Sequence, residues 1–292
     1  MSTYILAKDY YAQGAFDLSI ESGGAYSVTP LKTFLKVTDP REFNSTYLYA
    51  SGYTGTSPST YRSLTAYFAA NKTITVDYIA FNKHNFDAEI NGTKVLGYMS
   101  FYKQSASGIL TQLSPIISGS AITNRKNIVV KFDPVTLNAG DKIRILFALQ
   151  RQTTNSPSVY VYGATDFNLS YIQIGQSYKL RELTTPLQIP YGPSYESKNQ
   201  KSDQGFVIGT KSKQLPSDMT IKFKSQSSSF HDNNEWKNLS YDLSRNPFFI
   251  YDDDGNLPSV PFCWLKNKTG QMSLNTNHLY DVTLKAQVKV YE

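Results

Sequence analysis

The sequence predicts an all-β protein built on an antiparallel β-sandwich. Its 292 residues include 22 Tyr and 16 Phe, with abundant Thr, Ser and Val and few long runs of helix-forming residues. Short segments of alternating apolar and polar residues recur along the chain, and turn residues separate them. A chain of this length can bury a large core, as one all-β domain or as two packed modules.

Residues 1–29 are predicted to form an N-terminal arm or an irregular lead-in strand. Their polar and apolar residues show no clear period, and Gly23, Gly24 and Pro30 break any helix that would begin there. We expect this arm to become ordered against neighbouring subunits of an assembly.

Residues 30–178 are predicted to form the sandwich domain. Segments rich in β-branched and aromatic residues occur at 63–69, 74–81, 94–102, 127–133, 142–150, 158–163 and 169–175. In one of them Ile143, Ile145 and Phe147 share a face of the strand, and the preceding sequence NAGD is typical of a turn. Such segments joined by turns favour two packed antiparallel sheets.

Residues 179–292 are predicted to form a β-rich elaboration that packs on the sandwich. This part begins with a long excursion rich in Pro, Gly and Ser, in which residues 191–205 are predicted to be a mobile loop. One short helix is predicted within residues 231–246. The closing strand, 280–290, places its apolar residues on one parity and its polar residues on the other.

The charge and the N-terminus restrict the classes of function. The net charge is +6, but Lys and Arg are scattered singly, so we expect no nucleic-acid partner. The N-terminus lacks the features of a signal peptide, and no window approaches 18 apolar residues, so we expect no membrane insertion and synthesis in a cytoplasm. Cys263, the single cysteine, lies between Phe262 and Trp264 and is expected to be a small buried side chain.

The histidines and the chain's motifs do not indicate catalysis. His84, His231 and His278 have no partner at the spacing of HExxH, and the chain contains no GxSxG or Cys–His arrangement. His84 is predicted to be a structural imidazole at a strand end, because a lone histidine rarely makes a metal site. We therefore predict a protein that is not an enzyme and has no cofactor.

A run of carboxylates in the sequence YDDDGNLPSV suggests a loop for a hard cation. Asp252 and Asp254 are the candidate metal ligands there, because consecutive Asp residues of an extended chain point in opposite directions. The stretch lacks the Glu that closes a calcium loop of the EF-hand type. We favour a solvated turn at this position over a metal site.

Tyrosines in loop segments are candidates for contact with carbohydrate. Tyr53, Tyr61 and Tyr191 lie in segments that combine aromatic rings with polar residues, as a sugar site requires. The alternative is that these rings serve the core and protein interfaces, where tyrosine is also favoured. The sequence leaves both open.

A resemblance to a known family rests on residues 58–90. Their pattern resembles the galactose-binding-like (discoidin-like, jelly-roll) sandwich in structural proteins of tailed bacteriophages, in which a strand ends in a form such as "vDyiaiaxHNlg". The matching positions are Arg62, Asp77, Tyr78, Ile79, Ala80, His84 and Asn85. The segments 169–193 and 245–267 are similar to later parts of the same group. The chain has NFDAEI where that group has a turn rich in Gly and Ala, which argues against a ligand site in that loop.

The resemblance implies a structural subunit of a virion, in its tail, neck or baseplate. Its partners would be other virion proteins and further copies of itself, in a ring or another multi-copy assembly. The alternative function is a carbohydrate-binding module of the virion that recognises a glycan of the host surface. A hydrolase ranks below both, because no nucleophile, base and orienting group can be assembled from the sequence.

Overall fold

The computed structural model describes residues 3–22, 28–29, 48–50, 53–55, 61–84, 86, 89–90, 93–122, 127–152, 160–162, 167–180, 194–201, 207–215, 217–252, 260–266, 270–274 and 279–288. These residues divide into two compact units. The first, here the sandwich unit, lies between Lys8 and Ser177. The second unit contains the chain before Lys8 and most of the chain from Tyr178 onward.

The sandwich unit is built from short antiparallel strands. They are β2 (Phe16–Ser22), β3 (Val28–Thr29), β4 (Leu48–Ala50), β5 (Tyr53–Gly55), β6 (Tyr61–Ala70), β7 (Ile74–His84), β8 (Glu89–Ile90), β9 (Thr93–Lys94), β10 (Leu96–Gln104), β11 (Leu110–Gln112), β12 (Ile117–Ser118), β13 (Asn127–Leu137), β14 (Lys142–Gln152), β15 (Tyr160–Tyr162) and β16 (Phe167–Gly175), with a 3₁₀ turn at Gly119–Ile122.

Two large sheets form the core of this unit, as the alternating sequence predicts, and β8 and β9 pair in a separate two-stranded ribbon. In the eight-stranded sheet β14 is central, pairing with both β10 and β6, and β2 extends the sheet beyond β6. The five-stranded sheet has the order β13-β7-β16-β4-β3. Both sheets contribute to one buried apolar cluster, so the all-β sandwich is confirmed.

Phenylalanine rings connect the two sheets across the core. Phe81 of β7 contacts Phe101 of β10 and Phe147 of β14, with ring centroids 6.1 and 6.4 Å apart. Phe86 also contacts Phe81 and Phe147, at 5.7 and 5.6 Å. These four rings are fully or almost fully buried, and tilted or edge-to-face pairs of this kind stabilise a core beyond the burial of their area.

The N-terminal residues differ from the predicted arm. Thr3–Leu6 is strand β1 of the second unit, and β2 pairs along β6 in the sandwich unit. Between these strands the backbone lies against β7 and β16. The Tyr78 hydroxyl of β7 donates to the Lys8 carbonyl at 2.8 Å, and the Tyr10 N–H donates to the Ile174 carbonyl of β16 at 2.8 Å. Residues 3–6 and 16–22 are thus bound by strand pairing within the chain itself, and the rest of the predicted arm after residue 22 is described only at Val28–Thr29.

A buried carboxylate joins two turns of the sandwich unit. Asp141, 6% exposed, accepts hydrogen bonds at 3.0 Å from the N–H groups of Asn138 and Ala106. The Lys103 ammonium lies 3.4 Å from Asp141 Oδ2, the oxygen that also accepts from Asn138. These interactions, the Asn138 N–H bond first among them, hold the pKa of Asp141 below its ordinary value against the opposing effect of burial. The β10–β11 and β13–β14 turns are therefore held together.

The second unit is also largely strand. Besides β1 it contains β17 (Tyr178–Leu180), β18 (Ser194–Lys201), β19 (Val207–Leu215), β20 (Ser217–Gln226), β21 (Phe248–Asp252), β22 (Phe262–Leu265), β23 (Gln271–Leu274) and β24 (Tyr280–Val288), and the helices α1 (Ser228–Asp232) and α2 (Glu235–Arg245). Its main sheet has the order β17-β1-β21-β22-β24-β20, with β23 also on β24. No helix among the described residues is long and apolar enough to cross a membrane.

The second unit contains the predicted closing strand but differs from the prediction in its helices and at residues 194–201. The closing strand is present, with Val282, Leu284 and Ala286 buried on one face. The single short helix is in fact two helices, because Asn234 adopts a left-handed conformation between them. In the predicted mobile loop, residues 194–201 instead form β18, which pairs with β19 in a two-stranded ribbon.

The boundary between the two units lies close to the predicted junction between the sandwich and the β-rich elaboration. The contacts divide the chain between Ser177 and Tyr178, one residue before the predicted junction at 178/179, and they assign the first seven residues to the second unit. The first strand of the chain pairs with β17 and β21, and this long-range pairing is not visible in local sequence patterns.

Replacing Gly175 by Ala is expected to destabilise the sandwich unit by about 2–4 kcal/mol, because overpacking against fixed backbone is costly. A Cβ at this position would lie 1.6 Å from the Lys8 carbonyl oxygen. Urea unfolding followed by intrinsic fluorescence would measure the change. The control is Gly14→Ala, whose Cβ meets nothing within 4 Å, so only its positive φ adds strain. Equal unfolding midpoints for the two variants would contradict the close approach of residues 8 and 175.

Replacing Asp141 by Asn is expected to lower the free energy of unfolding at pH 7 by about 1–2 kcal/mol, because the amide accepts weaker hydrogen bonds. Since the pKa of Asp141 is lowered in the folded state, its charge stabilises the fold above the ordinary carboxyl pKa. That contribution disappears as the pH falls through the lower, folded value. The difference between wild type and variant should therefore shrink below about pH 4, as measured by thermal unfolding at pH 7, 5 and 3. Exposed Asp133→Asn is the control, and a pH-independent difference would argue against the ionic role.

Candidate functional site

The structure places His84 in the core of the sandwich unit. It is the last residue of β7 and is buried, and its ring stacks on Phe86 with centroids 4.2 Å apart. The Phe86 N–H donates to His84 Nδ1 at 3.2 Å. An imidazole held in this way orients the chain as it leaves the sheet.

The other positions of the predicted scaffold motif have separate surroundings. Asp77 is buried and accepts hydrogen bonds from the Ser177 N–H at 2.7 Å, the Ser177 hydroxyl at 2.6 Å and the Lys131 ammonium at 3.0 Å. Arg62 lies opposite Leu149 in the β6–β14 pairing, and Asn85 lies outside the described residues. The carboxylate of Asp77 thus ties the end of the sandwich unit to β7 and β13.

The predicted metal positions fall largely outside the described part of the chain. Asp252 ends β21, and Asp254 is outside the described residues. Within the described ranges, no group of three or more His, Cys, Asp and Glu side chains is placed to hold a metal. Cys263 is fully buried in β22, and this burial raises the pKa of its thiol well above the ordinary value, so the site favours the protonated form.

The predicted glycan tyrosines occupy different positions. Tyr53 lies opposite Tyr162 in the β5–β15 pairing, and Tyr61 lies opposite Gln150 in the β6–β14 pairing. Tyr191 lies outside the described residues. Their contact with a sugar stays a prediction.

Another set of aromatic residues lies together on the outer face of the eight-stranded sheet. Tyr102 of β10, Arg144 of β14 and Tyr67 of β6 are directly opposite one another on three adjacent strands. The alternate residues of β14, Ile143 and Ile145, are buried on the inner face. The three outer side chains are partly exposed, and we call them the Tyr–Arg row.

Charge and aromatic faces are combined along this row. The guanidinium carbon of Arg144 lies 5.9 Å from both ring centroids, and the Lys142 ammonium lies 5.5 Å from that of Tyr67, so both cations contact aromatic rings. The pKa of Tyr67 is raised, first by burial and then by its hydrogen bond with Glu21, while Arg144 acts in the opposite direction. Tyr67 therefore stays a neutral phenol that can donate and accept hydrogen bonds.

Two buried polar atoms, one in the row and one beside it, have no hydrogen-bond partner among the described residues. Arg144 Nε and Gln104 Oε1 are buried, and neither has a hydrogen bond within the described part of the structure. Gln104 lies opposite Lys142, one pair of residues along the same face. A buried donor or acceptor without a partner costs free energy. A polar ligand would remove that cost if one of these side chains rotated toward it and formed a hydrogen bond.

The sequence contains part of the signal for this row. In the sequence, each member of the row lies among the alternate residues that form the polar face of a strand, whose opposite face is apolar. The members are Tyr67, Tyr102 and Arg144. Their alignment depends on the register of β6, β14 and β10, which strand periodicity does not specify. The sequence alone therefore does not show that these three side chains meet on one sheet face.

Comparisons with known proteins give only distant similarities. Neither a protein-family model nor a curated protein sequence matches the chain. The chain is similar to the family 32 carbohydrate-binding module of Clostridium perfringens NanJ in complex with galactose, with 13% identity and a TM-score of 0.32 over 59% of this chain and 98% of that one. It is also similar to the C. perfringens module CpGH89CBM32-5 in complex with GalNAc-β-1,3-galactose, with 8% identity and a TM-score of 0.33 over 56% and 97% of the two chains.

A third similar structure is a Bacteroides thetaiotaomicron protein assigned as an α-L-fucosidase. The identity is 12% and the TM-score 0.32, over 58% of this chain and 30% of that one. At this level the similarities carry no argument about the ligand of this chain. None of these three structures is a virion protein, so the phage assignment stays a prediction.

Proposed function

We propose that this chain is a carbohydrate-binding protein without catalytic activity, and that the Tyr–Arg row on the outer face of its sandwich is the sugar site. The observation that carries the proposal is the alignment of Tyr102, Arg144 and Tyr67 on three adjacent strands. Aromatic rings bind the apolar C–H face of a sugar, and a guanidinium donates to its hydroxyl oxygens.

The dimensions and charge of the surface favour a short neutral saccharide. Three adjacent strands span roughly 10 Å between the outer two, which is close to the length of a disaccharide. The cations Lys142 and Arg144 are matched by Asp17 and Glu21, which lie on the neighbouring strand β2 at outer-face positions of the register. This balance favours hydroxyl groups over a carboxylate or sulfate as the recognised groups.

The polar atoms add specificity to this surface. Arg144 Nε is a donor and Gln104 Oε1 is an acceptor, so a hydroxyl group, which does both, suits the pair. A sugar lacking the hydroxyl that meets them would leave one atom unpaired and bind more weakly. Neutral disaccharides are the first ligands to test.

Binding to a glycan array, followed by calorimetry on the best ligand, would test the site. Tyr102→Ala, Tyr67→Ala and Arg144→Ala are each expected to weaken affinity at least about tenfold, as loss of a central interface residue does. The matched control is Tyr241→Ala, which removes a tyrosine that is 52% exposed and has its own cation, Arg245, at 4.1 Å. Tyr241 lies in the second unit. Failure of the wild type to bind any glycan, or equal loss in the control, would reject the proposal.

A second candidate function is the structural subunit of a multi-copy particle that the phage resemblance implies. Ile109, Leu110 and Ile116 favour it, because they expose apolar surface at 68%, 45% and 57% within one short segment. Clusters of exposed apolar residues are typical of protein–protein contacts.

Mass spectrometry and cryo-electron microscopy of particles from the source culture would test this second function. The expected result is a fixed copy number of the chain per particle, with density that covers Ile109 and Leu110. Absence of the chain from purified particles would exclude it, and the test of glycan binding would be unaffected.

A further inference from the structure

One edge of the eight-stranded sheet exposes apolar side chains. Ile109, Leu110 and Ile116 lie in and beside β11, whose only strand partner among the described residues is β10. The two other large apolar residues that are exposed in the described ranges, Tyr241 and Leu274, belong to the second unit. We call residues 109–118 the apolar edge.

Alternate residues of this edge direct their backbone hydrogen-bonding groups toward β10 and away from it. The Ser105 N–H donates to the Ile109 carbonyl and the Leu113 N–H donates to the Phe101 carbonyl, both at 2.9 Å. Residues of an antiparallel edge strand direct their backbone groups alternately toward and away from the neighbouring strand. Leu110 and Gln112 therefore direct their N–H and C=O groups away from β10.

The edge lacks the charges that usually protect an exposed strand. Residues 104–124 contain no Lys, Arg, Asp or Glu, although 18% of the chain is charged and about four charges would be expected in such a stretch. The nearby Lys103 does not guard the edge, because its ammonium donates to the Thr136 carbonyl at 2.7 Å and lies 3.4 Å from Asp141. Natural edge strands commonly carry Lys or Pro to prevent pairing. β11 itself has neither, and Pro115 lies beyond its C-terminal end.

We propose that a second copy of this chain covers the apolar edge, through antiparallel pairing of β11 with its own equivalent around a two-fold axis. Antiparallel pairing of identical segments is self-complementary: Leu110 of each copy would lie opposite Gln112 of the other, giving four backbone hydrogen bonds. The net charge of +6 makes two copies repel one another, and an uncharged stretch is where that repulsion is weakest. This pairing does not depend on the proposed function.

Sedimentation velocity between 1 and 50 μM would test the pairing. We expect a concentration-dependent dimer, because three-residue strands with a few apolar contacts make a small interface. Leu110→Lys is expected to raise the dissociation constant at least about tenfold, since it removes an exposed apolar side chain from the edge and brings one lysine of each copy close to the two-fold axis. Leu274→Lys is the matched control, because Leu274 is 58% exposed in the second unit. Circular dichroism would verify that both variants fold.

A charge pair tests the register itself. In the double variant Leu110→Lys with Gln112→Glu, each lysine would lie opposite a glutamate of the other copy, so dimerisation should recover. Leu110→Lys with Gln112→Lys should remain monomeric. Three results would overturn the proposal: a wild type that is monomeric at every concentration, a dimer unaffected by Leu110→Lys, or two double variants that behave alike. A monomeric wild type would mean that a different protein covers the edge. Glycan binding by the Leu110→Lys monomer would be measured separately, so each proposal can fail alone.

Discussion

The alternation of side chains along β14 is the constraint on which the sandwich unit depends. Ile143, Ile145 and Phe147 are buried against the five-stranded sheet, so the residues between them must face outward. A shift of one residue in the pairing with β6 or β10 would place Arg144 in the core. The energy of burying three apolar side chains thus fixes the register, and the register in turn aligns the Tyr–Arg row.

The same constraint explains what could be predicted from the sequence. Apolar alternation in β7, β10 and β14 is strong enough to indicate two packed sheets, and the final strand is visible for the same reason. The role of β1 was missed, because its partners β17 and β21 lie more than 170 positions away in the chain. Residues 194–201 are polar and contain no β-branched residue, so their sequence indicates a loop although they pair in the structure.

Prediction of the site had a similar limit. The sequence predicts a structural imidazole at His84, because no histidine partner lies at a useful spacing, and in the structure its ring stacks on Phe86. The Tyr–Arg row was not foreseen, because its members are separated by 35 to 77 positions and meet only through strand register. Tyr53, Tyr61 and Tyr191 are indicated by segments rich in turn residues. Tyr67 and Tyr102 are indicated by a different signal, a tyrosine on the polar face of a strand.

The apolar edge and the proposed sugar site are related by the geometry of the sheet. Gln112 lies opposite Tyr102, so the Tyr–Arg row continues directly toward β11. Pairing of two β11 strands around a two-fold axis perpendicular to the sheet keeps both outer faces on the same side, with the two β10 strands roughly 14 Å apart at a strand spacing near 4.8 Å. Two rows would then face one polysaccharide, and binding at the first would raise the effective concentration at the second. Modest affinity at each row would therefore suffice for tight binding to a repeating glycan, whereas a free monosaccharide would gain nothing from the dimer.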